Sequence, residues 1–331
     1  MRYYKVRQML RKGYAYARIL IAAGLLIGAF WGYRECWGSI DDKAVISESE
    51  VTENNVAGDS VTESSLNYGS ALTVAVQMKT GEIITEGLEE YVCGVVAAEM
   101  PANFEKEALK AQAVAARSYC LHYLGGKEYI PAGTAAQDWL SEEEQEARWG
   151  DNYEKYRAKI AAAVAETKGE VLYWQKSVIT AAYHASCGGE RTAAAAEVWR
   201  NEVPYLISVA CPHGEEKYTA AEHVLTKKEI AQALGKKEVR KLKLILSKSG
   251  RVQTVEIDGE SIDAAKVRAA LGLASNIFTM KDKGEEVVIT TWGSGHGVGM
   301  CQYGAEYYAK KGWDYRKILA HYYPETTLGE V

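Results

Sequence analysis

Residues 87 to 124 constrain this chain more than any other stretch, because their apolar spacing calls for two helices that meet closely. Leu88, Val92, Val95 and Glu99 recur at four- and three-residue steps, with Tyr91 and Val96 alongside. That spacing predicts a helix over 87–99 with one apolar face. Met100 and Pro101 end it, since a proline pushes the residue before it out of the helical region. A second helix is expected over 105–124, with Leu109, Ala113, Ala116 and Cys120 on one stripe. Small residues there let a neighbouring helix approach. Glu99 closes the first stripe in the last helical turn. Burial and the negative end of the helix dipole both favour its neutral form, the state a general acid needs near pH 7. The sequence also allows a structural reading, with Glu99 paired to Lys106 or Arg117 across the turn. Gln112 and Arg117 flank the second stripe and would be carried toward whatever Glu99 faces.

The N-terminus carries a membrane signal. Six basic residues from Arg2 to Arg18 precede an apolar run over 19–33. With residues 15–17 added and Arg18 snorkelling, the run approaches the roughly 20 residues of a membrane-crossing helix. The basic flank places the N-terminus inside and the remainder outside. No small-x-small cleavage site follows the run, so it reads as an uncleaved anchor, with a cleaved signal peptide as the alternative. Residues 39–70 are rich in Ser, Glu, Asn and Thr and read as a flexible extracytoplasmic linker. Seven of the 39 basic residues but only one of the 44 acidic ones precede residue 39, so the exported part is strongly acidic. Nucleic acid is therefore excluded as a partner, because neutralising phosphates needs a basic surface.

The organisation expected is a cytoplasmic tail and anchor over 1–38, the linker over 39–70 and one folded domain over 71–331. Its class is α+β, mixed helices and short strands around a cleft. LTVAVQM and GEIITE alternate like a hairpin turning at residues 79–81. A polar insert spans about 125–150 and a helix 153–167. GEVLYW and SVITAAYHA read as strands. Helices over 225–235 and 262–271 flank a hairpin, so about 220–275 could be an inserted subdomain. VVITTW is a strand, followed by a Gly-rich loop, helix 304–311 and a closing helix through YRKILAHYY.

The loop GSGHGVG at 293–299 misses the G-x-G-x-x-G spacing and has no Gly-Lys-Ser/Thr after it, so it is no nucleotide loop. Its alternating glycines mean close backbone approach or positive-φ turns. His296, Gln302 and Tyr303 would offer hydrogen bonds to an open groove, and His184 and Ser186 sit in a second loop. His184, Cys187, His296 and Cys301 could form a zinc site only by spatial coincidence. A thiolate–imidazole pair from the same residues is a further alternative. No CxxC pair occurs among the six cysteines, and Cys187 with Cys211 could form a disulfide.

Three blocks in order resemble the stage II sporulation protein D family. They are EYVCGVVAAEMPANFEKEALKAQAVAARSYCLHY, KGEVLYWQKSVITAAYHASCGGERTAAAAEVWRNEVPYLISV and WGSGHGVGMCQYGAEYYAKKGWDYRKILAHYYPETTL. The resemblance covers nearly all of residues 72–331. It implies a membrane-anchored lytic transglycosylase that cleaves peptidoglycan glycan strands, preferring those without stem peptides, during engulfment in endospore formation. It also implies that the glutamate of the EMP motif, here Glu99, is the catalytic acid/base. Gln112, Arg117, His184, Ser186, His296, Gln302 and Tyr303 are then the substrate-binding candidates. The partners implied are the amidase stage II sporulation protein P and the membrane protein stage II sporulation protein M, at the sporulation septum. The alternative within the broader family is a non-catalytic, wall-binding modifier of an amidase.

Some members bind zinc through a histidine and two cysteines after the second helix. Residues 125–150 here hold neither residue type, so no metal and no cofactor is expected. Cys301 stands where a serine is usual in the family. A glycoside hydrolase normally needs two carboxylates, whereas a lytic transglycosylase needs one. Glu105 and Glu107 begin the second helix, where acidic residues serve its dipole, and read as structural.

Overall fold

The structure, a computed structural model, describes residues 72–133, 135–212 and 220–331. The anchor over 15–33 and the linker over 39–70 lie outside the described residues. Among those described, no helix is long and apolar enough to cross a membrane.

The described chain mixes helices with short strands. Strands β1 (Thr73–Gln77) and β2 (Ile83–Gly87) form the expected hairpin. Helix α1 (Leu88–Glu99) follows without a loop, and α2 (Lys106–Leu124) comes next. Their apolar positions interlock. Tyr91, Val92, Val95 and Val96 of α1 and Leu109, Ala113 and Ala116 of α2 are all fully buried in one core. At 19 residues α2 is the longest described helix, and its Ala-rich surface lets other helices close on several sides.

Strand β3 (Ile130–Pro131) runs parallel to β1. The polar insert contains a helix that the sequence reading missed, α3 (Glu142–Trp149). Its start was written in the chain: Ser141 accepts a bond from the Glu144 amide, and Glu144 accepts one from the Ser141 amide. That is the S-x-x-E capping box. Helix α4 (Tyr153–Ala165) and strand β4 (Glu170–Trp174) lie where expected. The long strand expected through SVITAAYHA is broken into β5 (Ser177–Val178) and β6 (Tyr183–His184). Between them the backbone bonds locally, Ala181 N–H to Ile179 O and Ala182 N–H to Thr180 O. A short helix, α5 (Ala195–Val198), follows.

The next strands and helices gather a second core. Strand β7 (Ala221–Thr226) ends where α6 (Lys227–Ala233) begins. The helix therefore starts later than the expected residue 225, because Thr226 is its cap and accepts from the Glu229 amide. Strands β8 (Leu242–Leu246), β9 (Val252–Ile257) and β10 (Glu260–Asp263) form one antiparallel sheet. Helix α7 (Ala264–Leu271) follows, and in another antiparallel sheet β12 (Glu286–Trp292) lies between β11 (Ile277–Asp282) and β7. Ile230, Val255, Val267, Phe278, Val287 and Ile289 fill the space between.

The chain then returns to the first core through β13 (Met300–Cys301), α8 (Gln302–Lys310), α9 (Tyr315–Tyr322) and β14 (Thr327–Glu330). Strand β13 pairs in parallel with β6, Cys301 opposite His184. The Gly-rich loop makes this pairing possible. Gly293, Gly295, Gly297 and Gly299 all have positive φ, and a Cβ on Gly299 would lie 1.9 Å from the Ala182 carbonyl.

Candidate active site

Helix α1 ends on Glu99 because Met100 before Pro101 is extended, with φ −122° and ψ 139°. The Arg148 guanidinium binds the Ala97 and Ala98 carbonyls at that end and compensates part of its negative pole. The Glu99 carboxyl itself makes no ion pair with Lys106 or Arg117. Lys106 pairs with Glu166 and Arg117 with Glu89, so the structural reading of Glu99 is set aside.

Three donors from three distant segments converge on Glu99. The Asp138 amide donates to Oε1 at 2.9 Å, and the side chains of Gln302 and Tyr183 donate as well. These donors are themselves fixed. The Gln137 amide group donates to Tyr183 Oη at 2.9 Å and accepts from Tyr91 Oη at 3.2 Å. Gln302 Nε2 donates to Gln112 Oε1 at 3.3 Å. Burial dominates the carboxyl's electrostatics and, with the nearby Asp138 charge, outweighs the three hydrogen bonds, pushing its pKa up to about 7. Such a group is a proton donor and acceptor at neutral pH. The same hydrogen bonds stabilise the carboxylate that remains after the proton leaves.

Residues 71–174 match the family model described as SpoIID: Stage II sporulation protein. Over 330 residues the chain is 34% identical to stage II sporulation protein D of Bacillus subtilis (strain 168), covering 95% of this chain and 93% of that protein. The chain belongs to the stage II sporulation protein D family. It is also 35% identical over 258 residues to stage II sporulation protein D of Bacillus amyloliquefaciens, covering 74% of each chain. It is 30% identical over 294 residues to the amidase enhancer of Bacillus subtilis (strain 168), covering 71% of this chain and 40% of that protein.

In this family member the expected groove residues divide. Gln302 reaches Glu99, and Gln112 stands behind Gln302, fully buried, with its Nε2 taking no hydrogen bond. Tyr303 is half-buried, edge-on to Phe104 at 5.1 Å. Arg117 corrects the sequence reading. It is completely buried, and its guanidinium is held by both Glu89 oxygens and the Glu170 carbonyl. Ser186 is buried in a backbone pairing with Ser294. His296 accepts from the Val298 amide and reaches the Tyr183 carbonyl, and burial holds its pKa down to about 3. It is a neutral brace under Tyr183. His184 is buried with Nδ1 against the Val298 carbonyl at 3.1 Å. Burial pushes the Cys301 thiol well up, which does not suit a nucleophile. As read from the sequence, Glu107 is spent on Lys110 and the Tyr315 amide.

Sequence reasoning missed Gln137, Asp138 and Tyr183. Asp138 also changes the expectation of a lone acid, because a second carboxylate stands beside Glu99.

A close approach sets this geometry. A Cβ on Gly94 would lie 2.2 Å from Trp139 Nε1 and 2.8 Å from the Leu140 carbonyl. Gly94→Ala is therefore expected to push residues 138–140 off α1 and cost about 1–3 kcal/mol by overpacking. Losing the Asp138 N–H bond should also raise the Glu99 pKa further. Denaturant unfolding and a carboxyl titration by NMR would check both. Unchanged values would contradict the packing described.

Proposed function

We propose that this protein is a lytic transglycosylase that cleaves peptidoglycan glycan strands, with Glu99 as its acid and then its base. One observation carries the reading: a half-buried carboxyl at the end of α1 with three donors arranged around it, its pKa pushed up to about 7. Neutral Glu99 protonates the bridging glycosidic oxygen as the bond to the sugar breaks. The resulting carboxylate, held by the Asp138 amide, Gln302 and Tyr183, then takes the proton from the same sugar's C6 hydroxyl, and that oxygen closes a 1,6-anhydro ring. No water enters. The proton given in the first half is regained in the second, so the enzyme is restored.

In this reading an N-terminal anchor holds the domain outside the membrane at the sporulation septum. Stage II sporulation proteins P and M work beside it, and an amidase strips the stem peptides first. The experiment is incubation of the full-length protein with intact and with amidase-stripped sacculi, followed by mass analysis of the products. Anhydro-ended fragments, more abundant from the stripped strands, are expected.

Because the reaction begins with protonated Glu99, kcat/KM should fall about tenfold per pH unit well above pH 7. A profile that stays flat between about pH 6 and 9 would remove Glu99 from the acid role.

The likeness to the amidase enhancer favours a second reading, a wall-binding modifier of an amidase with no turnover of its own. It is supported if the protein releases nothing alone yet raises amidase release from intact sacculi.

A further inference from the structure

Three cysteines that the proposed chemistry does not use meet in one place. The sulfur atoms of Cys187, Cys211 and Cys301 all lie within 4.8 Å of one another, and all three residues are buried. They come from three segments: the loop after β6, the stretch following Val209, and the cap of α8. We propose that this cluster is a thiolate metal site that takes one zinc ion, with His184, beside Cys187 but outside the three-sulfur cluster, moving in to fill the fourth position.

Four features of the surroundings fit a metal, for which the thiols would give up their own bonds, Cys187 Sγ to the Cys211 carbonyl, Cys211 Sγ with the Tyr322 hydroxyl and Cys301 Sγ to the Ala185 carbonyl. First, three sulfurs in mutual reach need only small shifts to bind one ion at about 2.3 Å, the usual zinc–sulfur length. Second, the Cys187 and Gly304 amides both donate to Cys301 Sγ, at 3.3 Å each. Burial keeps the Cys301 thiol protonated in the absence of an ion, but these amides, one of them in the first turn of α8, would stabilise the thiolate once an ion had displaced its proton. Third, the His184 ring is oriented by its Nδ1 bond to the Val298 carbonyl, and its other side faces Cys187. Metal-binding histidines are characteristically held by such a carbonyl on the other ring nitrogen. Fourth, the buried Arg251 guanidinium faces the three cysteines, and it binds the Cys187 and Arg191 carbonyls. Zinc with three thiolates and a neutral imidazole carries one net negative charge, which this cation balances. Binding would release the three thiol protons to solvent, because coordination deprotonates a thiol outright.

The sequence reading expected no metal, since residues 125–150 hold neither His nor Cys and the remaining candidates lay on separate Gly-rich loops. Folding removes the second objection and exchanges the set: Cys211 joins, and His296 leaves to serve the Val298 amide. The site is separate from the insert after α2. A metal here would tie β6 to β13, and these strands place Tyr183 beside His184 and Gln302 beside Cys301. The ion would thus hold two Glu99 partners in register without touching substrate. The proposal does not depend on what Glu99 does.

The test uses the full-length protein purified in detergent with a reductant. Zinc analysis after dialysis should find about one ion per chain, and replacing it with cobalt(II) should give the sulfur-to-cobalt charge-transfer absorption of tetrahedral thiolate coordination. Cys211→Ser and Cys301→Ser should lose the stoichiometric metal, whereas Cys93→Ser, a buried cysteine outside the cluster, should keep it. The wild-type cobalt spectrum decides the matter even if the cluster variants fail to fold. Zinc-free reduced protein with no charge-transfer band would overturn the proposal. So would a Cys187–Cys211 disulfide found by peptide mapping of unreduced protein.

Discussion

Replacing Glu99 with glutamine is expected to reduce glycan cleavage by 10²–10⁴-fold or more, the typical cost of losing a general acid, while the fold stays intact. An amide keeps the shape of the side chain and can still meet Gln302 and Tyr183. It cannot give up a proton and take one back. The same substitution should stabilise the protein above neutral pH. Glu99's pKa rises from an ordinary 4.5 to about 7 on folding. The folded chain therefore holds the proton more tightly than the unfolded chain does. Stability is lost as pH rises from 4.5 through 7, and the full penalty is present above pH 7. Removing the ionisable group relieves that penalty, on the order of 2 kcal/mol at pH 8 for a partly buried group. Thermal unfolding of both proteins at pH 5 and pH 8 reads it: a difference that appears only at the higher pH is expected. Wild-type cleavage by Glu99→Gln would end the assignment.

The second large effect lies at the other end of α1, where Glu89 stands in the first turn. Glu89→Ala should destabilise the protein by about 3–5 kcal/mol, because it strands the fully buried Arg117 without its partner. Glu89 also accepts from the Gly169 amide at 3.2 Å, so it joins α1, α2 and the start of β4. Urea unfolding at pH 7 measures the loss. A change below about 1 kcal/mol would place the pair with exposed ion pairs. Activity per folded molecule should be unchanged, since the Arg117 guanidinium is spent on Glu89 and the Glu170 carbonyl and makes no bond to Glu99.

Arg117 shows where reading from sequence reaches its limit. Helical spacing reveals which residues share a face, and it placed α1, α2, α4, α8 and α9 within a few residues of their ends. It does not say what packs against that face. Glu89, 28 residues upstream, claimed the guanidinium. Glu99 was legible because a local cause, a proline-terminated apolar stripe, fixes its place. Gln302 was legible as a polar group directly after the glycine loop, although the helix it begins was expected only from residue 304. Asp138 and Gln137 were not, since they sit in a polar stretch whose course depends on Gly94 admitting Trp139 against α1. Tyr183 was read only as a strand residue. Its role arises from the parallel pairing of two-residue strands over a separation of more than a hundred residues. The three-cysteine cluster has the same origin: no spacing rule links residues 187, 211 and 301.

The central claim is that Glu99 works alone, without water as nucleophile, although Asp138 stands beside it. Cleavage of amidase-stripped glycan strands by the full-length protein in heavy-oxygen water tests this most directly. The account predicts 1,6-anhydro ends that carry no heavy oxygen. Reducing-end sugars that have each gained one heavy oxygen would contradict it, and would make Glu99 and Asp138 the carboxylate pair of a hydrolase.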